Sequence, residues 1–275
     1  MSAIRVFRHG LALGVHDFNV FWSSRTIWLF TWILRVTTSA AMWVLLGRLL
    51  GSNERLYFLL IGQAVMVGPQ SAGWTVAAST WDRHAGTYPL LVIAPSSLVP
   101  AMMGRTSIWL LNGIATSVTT FAVLLLVFGV SVPFPQILLV PVLVAIVCAS
   151  FYALSLVLGC LVMRAPALRN VLHNVASILT MTTCGVVVPV SFWPEWVQNT
   201  VGLLPVTHGL YAVRVLLDEG PALDIVIGAG LEMLVGGIWL GLAIVMMDYM
   251  AHAGRRDGSI QLVSCGLGCR SHDCR

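Results

Sequence analysis

The sequence predicts an all-α, polytopic membrane protein with six transmembrane helices, an N-terminal interfacial helix and re-entrant outer helices before the last span. Three observations carry this. Only 9% of the 275 residues are charged, against about a quarter in a typical water-soluble domain. The mean hydropathy is +0.89. Several apolar runs reach the roughly 20 residues needed to cross the hydrocarbon, and short polar or proline-containing links separate them. The 25 glycines would weaken helices in water, but in a bilayer small residues let helices approach closely. The 10 tryptophans suit membrane interfaces.

The charge pattern excludes several function classes. The 15 basic residues are all arginine. A Walker A motif needs a lysine to reach the nucleotide phosphates, so ATP hydrolysis by this chain alone is not expected. Zincin and serine-elbow patterns are missing as well, and the sequence assigns no catalytic residue, no metal site and no cofactor to this chain. The formal charge of +4 is spread over the ends of apolar runs. That pattern fits membrane flanks, so the expected partner surface is the lipid bilayer and not nucleic acid.

At the N-terminus, Ile4, Phe7, Leu11, Val15 and Phe18 recur at helical spacing, with Arg5, Arg8, His9, His16 and Asp17 between them. The continuous apolar core of a cleavable signal peptide is missing. The segment from about Ala3 to Phe21 reads as a helix lying in the membrane plane, with an ordinary polar tail as the alternative. Span one covers about 27–46 and contains Arg35, which must face protein or water to be tolerated. Span two covers about 56–79, and its Gly62, Gly68, Pro69 and Gly73 predict a bend or a close helix contact. The proline-punctuated segment 81–105 breaks the pattern. Spans three, four and five follow at about 106–128, 137–163 and 171–188.

The aromatic, amphipathic stretch 189–220 reads as one or two short helices at or inside the outer interface, shielded by protein or water. Span six covers about 223–247 and carries Glu232. Arg35 and Glu232 are both intramembrane charges and could pair if the first and last spans are neighbours. Asp224 suits the start of its helix. Cys148, Cys160 and Cys184 sit in spans, where cysteine behaves as a small apolar residue. Cys265, Cys269 and Cys274 lie near His272 in the tail but lack zinc-ligand spacing. The expected division is a transmembrane domain over 1–255 and a short cytoplasmic tail over 256–275.

Arginine placement sets the orientation. With the N-terminus cytoplasmic, the inner segments hold Arg5, Arg8, Arg25, Arg83, Arg105, Arg164, Arg169, Arg255, Arg256, Arg270 and Arg275, and the outer ones Arg48, Arg55 and Arg214. The bias places both termini inside, in a multi-pass protein of the cell inner (plasma) membrane.

Two local patterns then resemble a known family. The first is WDRHAGTYPLLVIAPSSLVPAMMGR, Trp81 to Arg105, with Asp82, Gly86, Thr87, Leu90, Leu91 and Pro95 at the places of a polar residue, a GT pair and a short apolar helix ending in proline. The second is PVSFWPEWVQNTVGLLPVTHGLYAVRVLL, Pro189 to Leu217, with Pro194, Trp196, Pro205, Thr207, His208 and Arg214 matching a run of proline, tryptophan, P-x-T and a following arginine. In their order and place between spans they resemble the permease subunit of ABC-2 type exporters, a family that includes daunorubicin-resistance and nodulation-factor export permeases. Tyr88 and Pro89 depart from the family's usual leucine and glutamate.

The resemblance implies a coupling helix at Asp82, Gly86, Thr87, Leu90, Leu91, Ile93 and Pro95, docking on a separate ABC ATPase subunit that binds ATP and Mg. The alternative for this segment is a plain inter-span hairpin. It also implies a dimer with a second copy or a homologous permease. Trp193, Glu195, Trp196, Pro205, His208 and Arg214 would form an outer gate, or else anchor the interface. The implied function is export, with antibiotic resistance as an expected setting; the apolar composition and aromatic residues suggest an amphipathic drug-like or lipid-like substrate. A secondary transporter, which would need ion-coupling groups or repeated half-helices, and a non-transporting membrane assembly protein are the alternatives.

The topology has a direct test. In a background lacking native cysteines, Ser52→Cys should react with a membrane-impermeant maleimide from outside intact cells, and Ser259→Cys should not. External labelling at position 259 would overturn the orientation.

Overall fold

The computed structural model describes residues 3–21, 24–49, 51–81, 98–128 and 134–257. Every regular element among them is helical, the solution that lets a chain in hydrocarbon satisfy its backbone within each segment. The helices are α1 (Ala3–Phe21), α2 (Arg25–Leu49), α3 (Asn53–Ala72), the single turn α4 (Thr75–Ala78), α5 (Leu98–Phe128), α6 (Phe134–Arg164), α7 (Arg169–Thr183), α8 (Glu195–Val201), α9 (Thr207–Leu217) and α10 (Ala222–Asp257). Three of them, α5, α6 and α10, are long and apolar enough to cross a membrane. The expected fifth span is shorter than its sequence range: α7 has 15 residues and the chain turns at Gly185, φ 83°.

Helix α6 is the centre of the molecule. Val144, Val147, Cys148 and Phe151 on it are buried against Ala64, Val65 and Met66 of α3 and Leu210 and Val213 of α9. Helix α10 is the opposite case. Leu223, Val226, Ile227, Leu234, Ile238 and Val245 are exposed along it, the expected surface of a helix that meets lipid or another chain.

The predicted irregularity in span two falls one turn later than the proline. Helix α3 runs through Pro69 and ends at Ala72, and after Gly73 and Trp74 the chain makes the extra turn α4. Pro69 has no N–H for the carbonyl one turn back, yet the helix does not break there. Ser117 Oγ on α5 donates to the Ala64 carbonyl at 2.6 Å, with Val65 O at 3.5 Å. The carbonyl that Pro69 leaves without its helical donor is that of Val65, and the hydroxyl of a neighbouring helix is thus placed beside it, bonded mainly to the adjoining Ala64 carbonyl. Glycines permit the approach: a Cβ on Gly113 would sit 2.6 Å from Gly68 O.

Helix α1 has the bounds the periodicity predicts, and its packed face keeps Phe7, Leu11 and Phe18 but not Ile4 and Val15. Ile4 is 74% exposed and Val15 is exposed as well, whereas Gly10 and Gly14 are buried. The buried stripe runs through Phe7, Gly10, Leu11, Gly14 and Phe18, against the first turns of α5. A Cβ on Gly10 would lie 2.6 Å from Ala101 O, one on Gly14 would collide with Arg105 O, and one on Gly104 with Phe7 O. Asp17, read from the sequence as part of the polar face, pairs with Arg105: Nε to Oδ2 is 2.7 Å and Nη2 to Oδ2 2.6 Å. The small-xxx-small pattern Gly10–Gly14 was the available signal for this contact with α5, while Ile4, Leu13, Val15 and Val20 leave an apolar surface on the remainder of the helix.

This packing predicts a sharp contrast between two glycines. Gly14→Val pushes a branched side chain into the backbone of α5 and should lower stability by about 1–3 kcal/mol, read as thermal unfolding of the purified protein by tryptophan fluorescence. Gly237→Ala, where a Cβ meets nothing within 4 Å, should leave the midpoint unchanged or raise it.

Candidate functional site

Glu232, one of the two intramembrane charges singled out by the sequence, is fully buried at 0% exposure on α10. Its carboxylate accepts the Val206 N–H at 2.7 Å on Oε1 and the Gly209 N–H at 2.9 Å on Oε2. These groups open α9, where the first N–H donors of a helix have no intrahelical partner and the dipole favours negative charge. Val206 at the cap position supplies no side-chain cap, so the carboxylate of another helix does. Ser150 Oγ on α6 donates to the Glu232 carbonyl at 2.9 Å, which ties the third helix into the same knot.

The local backbone is strained. Val206 has φ 85°, a region that a β-branched residue rarely enters, at a cost of about 1–3 kcal/mol. Complete burial of Val206 and the bond from its N–H to Glu232 hold it there. Gly209 is required for fit: a Cβ would collide with Val147 and come within 3.0 Å of Glu232 Cγ. Gly228 and Gly236 bring α10 equally close to α9 and α6. Trp239 Nε1 adds a bond to Leu203 O at 2.9 Å.

Helix α9 then runs back alongside the first half of α10. Its end is closed by Gly220 N–H on Val215 O at 2.8 Å, with Glu219 left-handed at φ 54°, a Schellman-type stop. Glu232 lies ten positions into α10 by numbering, so the start of α9 sits roughly 15 Å along that helix from the turn.

The outer residues predicted as a gate are spread over this region and not joined in one network. Arg214 Nη2 donates to Phe58 O on α3 at 3.3 Å, and its Cζ lies 3.6 Å from the Phe58 ring centroid, a cation–π contact. His208 Nε2 meets Gly202 O at 3.0 Å. Glu195 is exposed in the first turn of α8, Trp196 is 73% exposed, Pro205 is buried, and the Trp193 ring N–H is buried with no partner among the described residues.

Arg35 does not meet Glu232; the two have separate partners. Arg35 Nη2 donates to Ser71 Oγ at 2.7 Å, and Ser71 passes a bond on to Val67 O at 2.9 Å. Arg35 opens onto a cavity of about 300 Å³ bounded by α2, the α3–α4 junction and α7. Gln70, His173, Asn174 and Ser177 supply its other polar groups. Sequence reading passed over the α7 residues. Their spacing at 173, 174 and 177 on a helix with polar ends was the signal, and it is weak without knowing that Arg35 lies opposite. An aromatic chain leads to the same place. Trp28 stacks on Trp32 and meets Phe18 of α1 edge-on, Phe18 meets Trp109, Trp109 stacks on Trp74, and Trp74 faces the His173 ring at 5.9 Å.

The expected coupling residues Asp82, Gly86, Thr87, Leu90, Leu91, Ile93 and Pro95 lie outside the described residues, as does the cysteine-containing tail.

Long apolar helices with exposed hydrocarbon faces, a buried carboxylate and a polar cavity between helices define an integral membrane protein with a protected polar interior. The sequence matches the family model of the ABC-2 type transporter over residues 11–217, from within α1 to the last residue of α9. The chain belongs to the ABC-2 type transporter family, the membrane component of a transport system. Comparison with curated proteins gives no match.

The cap predicts a graded series at one position. Glu232→Ala leaves two buried N–H groups without acceptors, each costing about 1–3 kcal/mol, and should lower the thermal midpoint most. Glu232→Gln keeps one carbonyl oxygen and should fall between. Equal midpoints for wild type and Glu232→Ala in detergent-purified protein would show that the cap does not hold α9.

Proposed function

We propose that this chain is the membrane-spanning permease subunit of an ATP-driven exporter, powered by separate ATPase subunits. The observation that carries the reading is the family match from α1 through α9. In this reading the chain works as a dimer, with itself or with a homologous permease, and the substrate path forms between the two copies. The cavity bounded by α2, α3 and α7 is the best-supported place for that path. It is polar inside, while Ile27, Phe30, Ile33 and Leu34 on α2 and Val175 and Ile178 on α7 are exposed around it. A second copy or lipid would cover that face.

Six spans and cytoplasmic termini are supported by the arginine distribution. The pair α8–α9 would re-enter the membrane from outside, supported by the depth of the Glu232 cap, and Arg214 and His208 would brace this outer element. The resemblance of segments 81–105 and 189–217 to ABC-2 exporter permeases supports export, and the apolar composition and aromatic residues support an amphipathic drug-like or lipid-like substrate. ATP and Mg would belong to the ATPase. Force would reach this chain through the segment from Asp82 to Pro95, where Leu90, Leu91 and Ile93 would fill a groove of that subunit. A few buried apolar contacts typically dominate such an interface.

The test is affinity purification of the full chain from its own cells, followed by ATP hydrolysis and export assays on one preparation. Wild type should bring down a nucleotide-hydrolysing ABC subunit. Leu91→Asp would bury a charge in the interface. It should lose most of that recovery, or hydrolyse ATP without export, while inserting normally. Normal assembly with normal coupled export in the variant would remove the segment from this role. Export without any ATPase would favour an ion-coupled transporter.

A further inference from the structure

Resting on the permease reading, we propose that the cavity between α2, α3 and α7 is an oxyanion subsite that selects amphiphiles with a phosphate or carboxylate head. Arg35 is its only formally charged lining group, and the lining contains no aspartate or glutamate among the described residues. One guanidinium N–H is used by Ser71 Oγ at 2.7 Å. The rest of the donor fork, which matches the geometry of carboxylate and phosphate oxygens, has no further partner among the described residues.

The neighbouring groups are of the same kind. Gln70, Asn174 and Ser177 can each present an N–H or O–H to an oxygen placed before Arg35. Ser177 is the most telling of them. It is 7% exposed, its Oγ has no hydrogen-bond partner among the described residues, and it lines this cavity. A buried hydroxyl normally finds a partner, and an oxyanion in the cavity would supply one. Arg35 is costly inside a membrane, and a bound anion would offset that cost, whereas a cationic head would meet the guanidinium in a medium of low polarity.

The apolar lining accounts for the rest of the molecule. Trp74, Ile178 and Met181 border the polar groups, and Ile178 continues onto the exposed apolar face of α7. The volume of about 300 Å³ stands at the lower end of small-molecule sites, roughly 300–1,000 Å³. It suits a head group and the start of a chain, with the remaining hydrocarbon left in the bilayer. His173 is set against Gly73, where a Cβ would lie 2.6 Å from its Cε1, so its ring is held at the rim and is not free to swing away.

The experiment uses the purified full chain in phosphatidylcholine nanodiscs, with binding followed by tryptophan fluorescence, to which Trp74 contributes, and corrected against empty nanodiscs. Three probes separate the possibilities: octyl phosphate, octyltrimethylammonium with the same tail, and inorganic phosphate with no tail. Octyl phosphate should bind at least about tenfold more tightly than either of the others, a difference of about 1.4 kcal/mol. Arg35→Gln should reduce its affinity about tenfold, Arg35→Lys, which keeps the charge without the fork, should fall between, and Arg55→Gln should change nothing. Equal binding of the cationic and anionic amphiphiles, or undiminished binding by Arg35→Gln, would overturn the subsite. Inorganic phosphate binding as tightly as octyl phosphate would overturn the assignment to an amphiphile. The comparison of head groups on the wild-type protein stands even where a variant fails to fold. No ATPase is needed, so failure here leaves the permease reading intact, and failure to recover an ATPase leaves this measurement intact.

Discussion

A helix that begins inside the protein must find acceptors for its first N–H groups, and here a single buried carboxylate provides them. Glu232 binds the N–H groups of Val206 and Gly209, while Ser150 fixes its backbone. Much of the surrounding structure answers to this bond. Gly209, Gly228 and Gly236 lack side chains where α6, α9 and α10 come closest. Val206 holds a left-handed backbone because its N–H must point at the carboxylate. Arg214 then fastens the last turns of α9 to α3, and Trp239 of α10 holds the turn that precedes α9 through Leu203 O. The requirement behind all of these is that buried backbone polar groups be paired where water is scarce.

The same requirement appears on the other side of the molecule. Pro69 removes a donor from α3, and Ser117 of α5 reaches across to the adjoining carbonyls. Small residues make such exchanges possible, because interhelical bonds need backbones within a few ångströms of a neighbour's side chain. Helix α1 follows this pattern on the side that meets α5. Gly10, Gly14 and Gly104 bring it against α5, and Asp17 closes the contact on Arg105. Ring contacts from Phe18 through Trp109 to Trp74 connect α1 with the rim of the Arg35 cavity.

Two polar places thus lie inside an apolar protein, and they differ in chemistry. The Glu232 knot is closed, with each carboxylate oxygen engaged by a backbone donor. The Arg35 cavity is open and holds donors in excess, with Ser177 lacking an acceptor among the described residues. A closed knot maintains geometry, while an open set of donors can receive something from outside. This contrast separates the two intramembrane charges into a positioning group and a candidate ligand-binding group.

Composition and periodicity determined much of this protein. The long apolar runs required helices, since nothing else short of a closed barrel satisfies the backbone in hydrocarbon, and the bounds of α1 follow from its apolar spacing. Arg35 and Glu232 were recognisable as groups needing protein or water around them, because charge in a membrane is costly wherever it lies. Their partners were not legible. A capping bond between positions 206, 209 and 232 depends on α9 folding back along α10, and opposite charges on two spans invite a pairing that the packing does not make. The face of α1 was legible only in part: Phe7, Leu11 and Phe18 are on the packed side, Ile4 and Val15 are not. Hydrophobic spacing ranks Ile4 and Val15 above Gly10 and Gly14, but at a contact between two backbones it is the missing side chain that decides the fit. What the sequence by itself settled was which segments must leave water. Which polar group met which was decided only by the tertiary structure, because hydrogen bonds form between atoms within about 3 Å, and chain order does not specify that proximity.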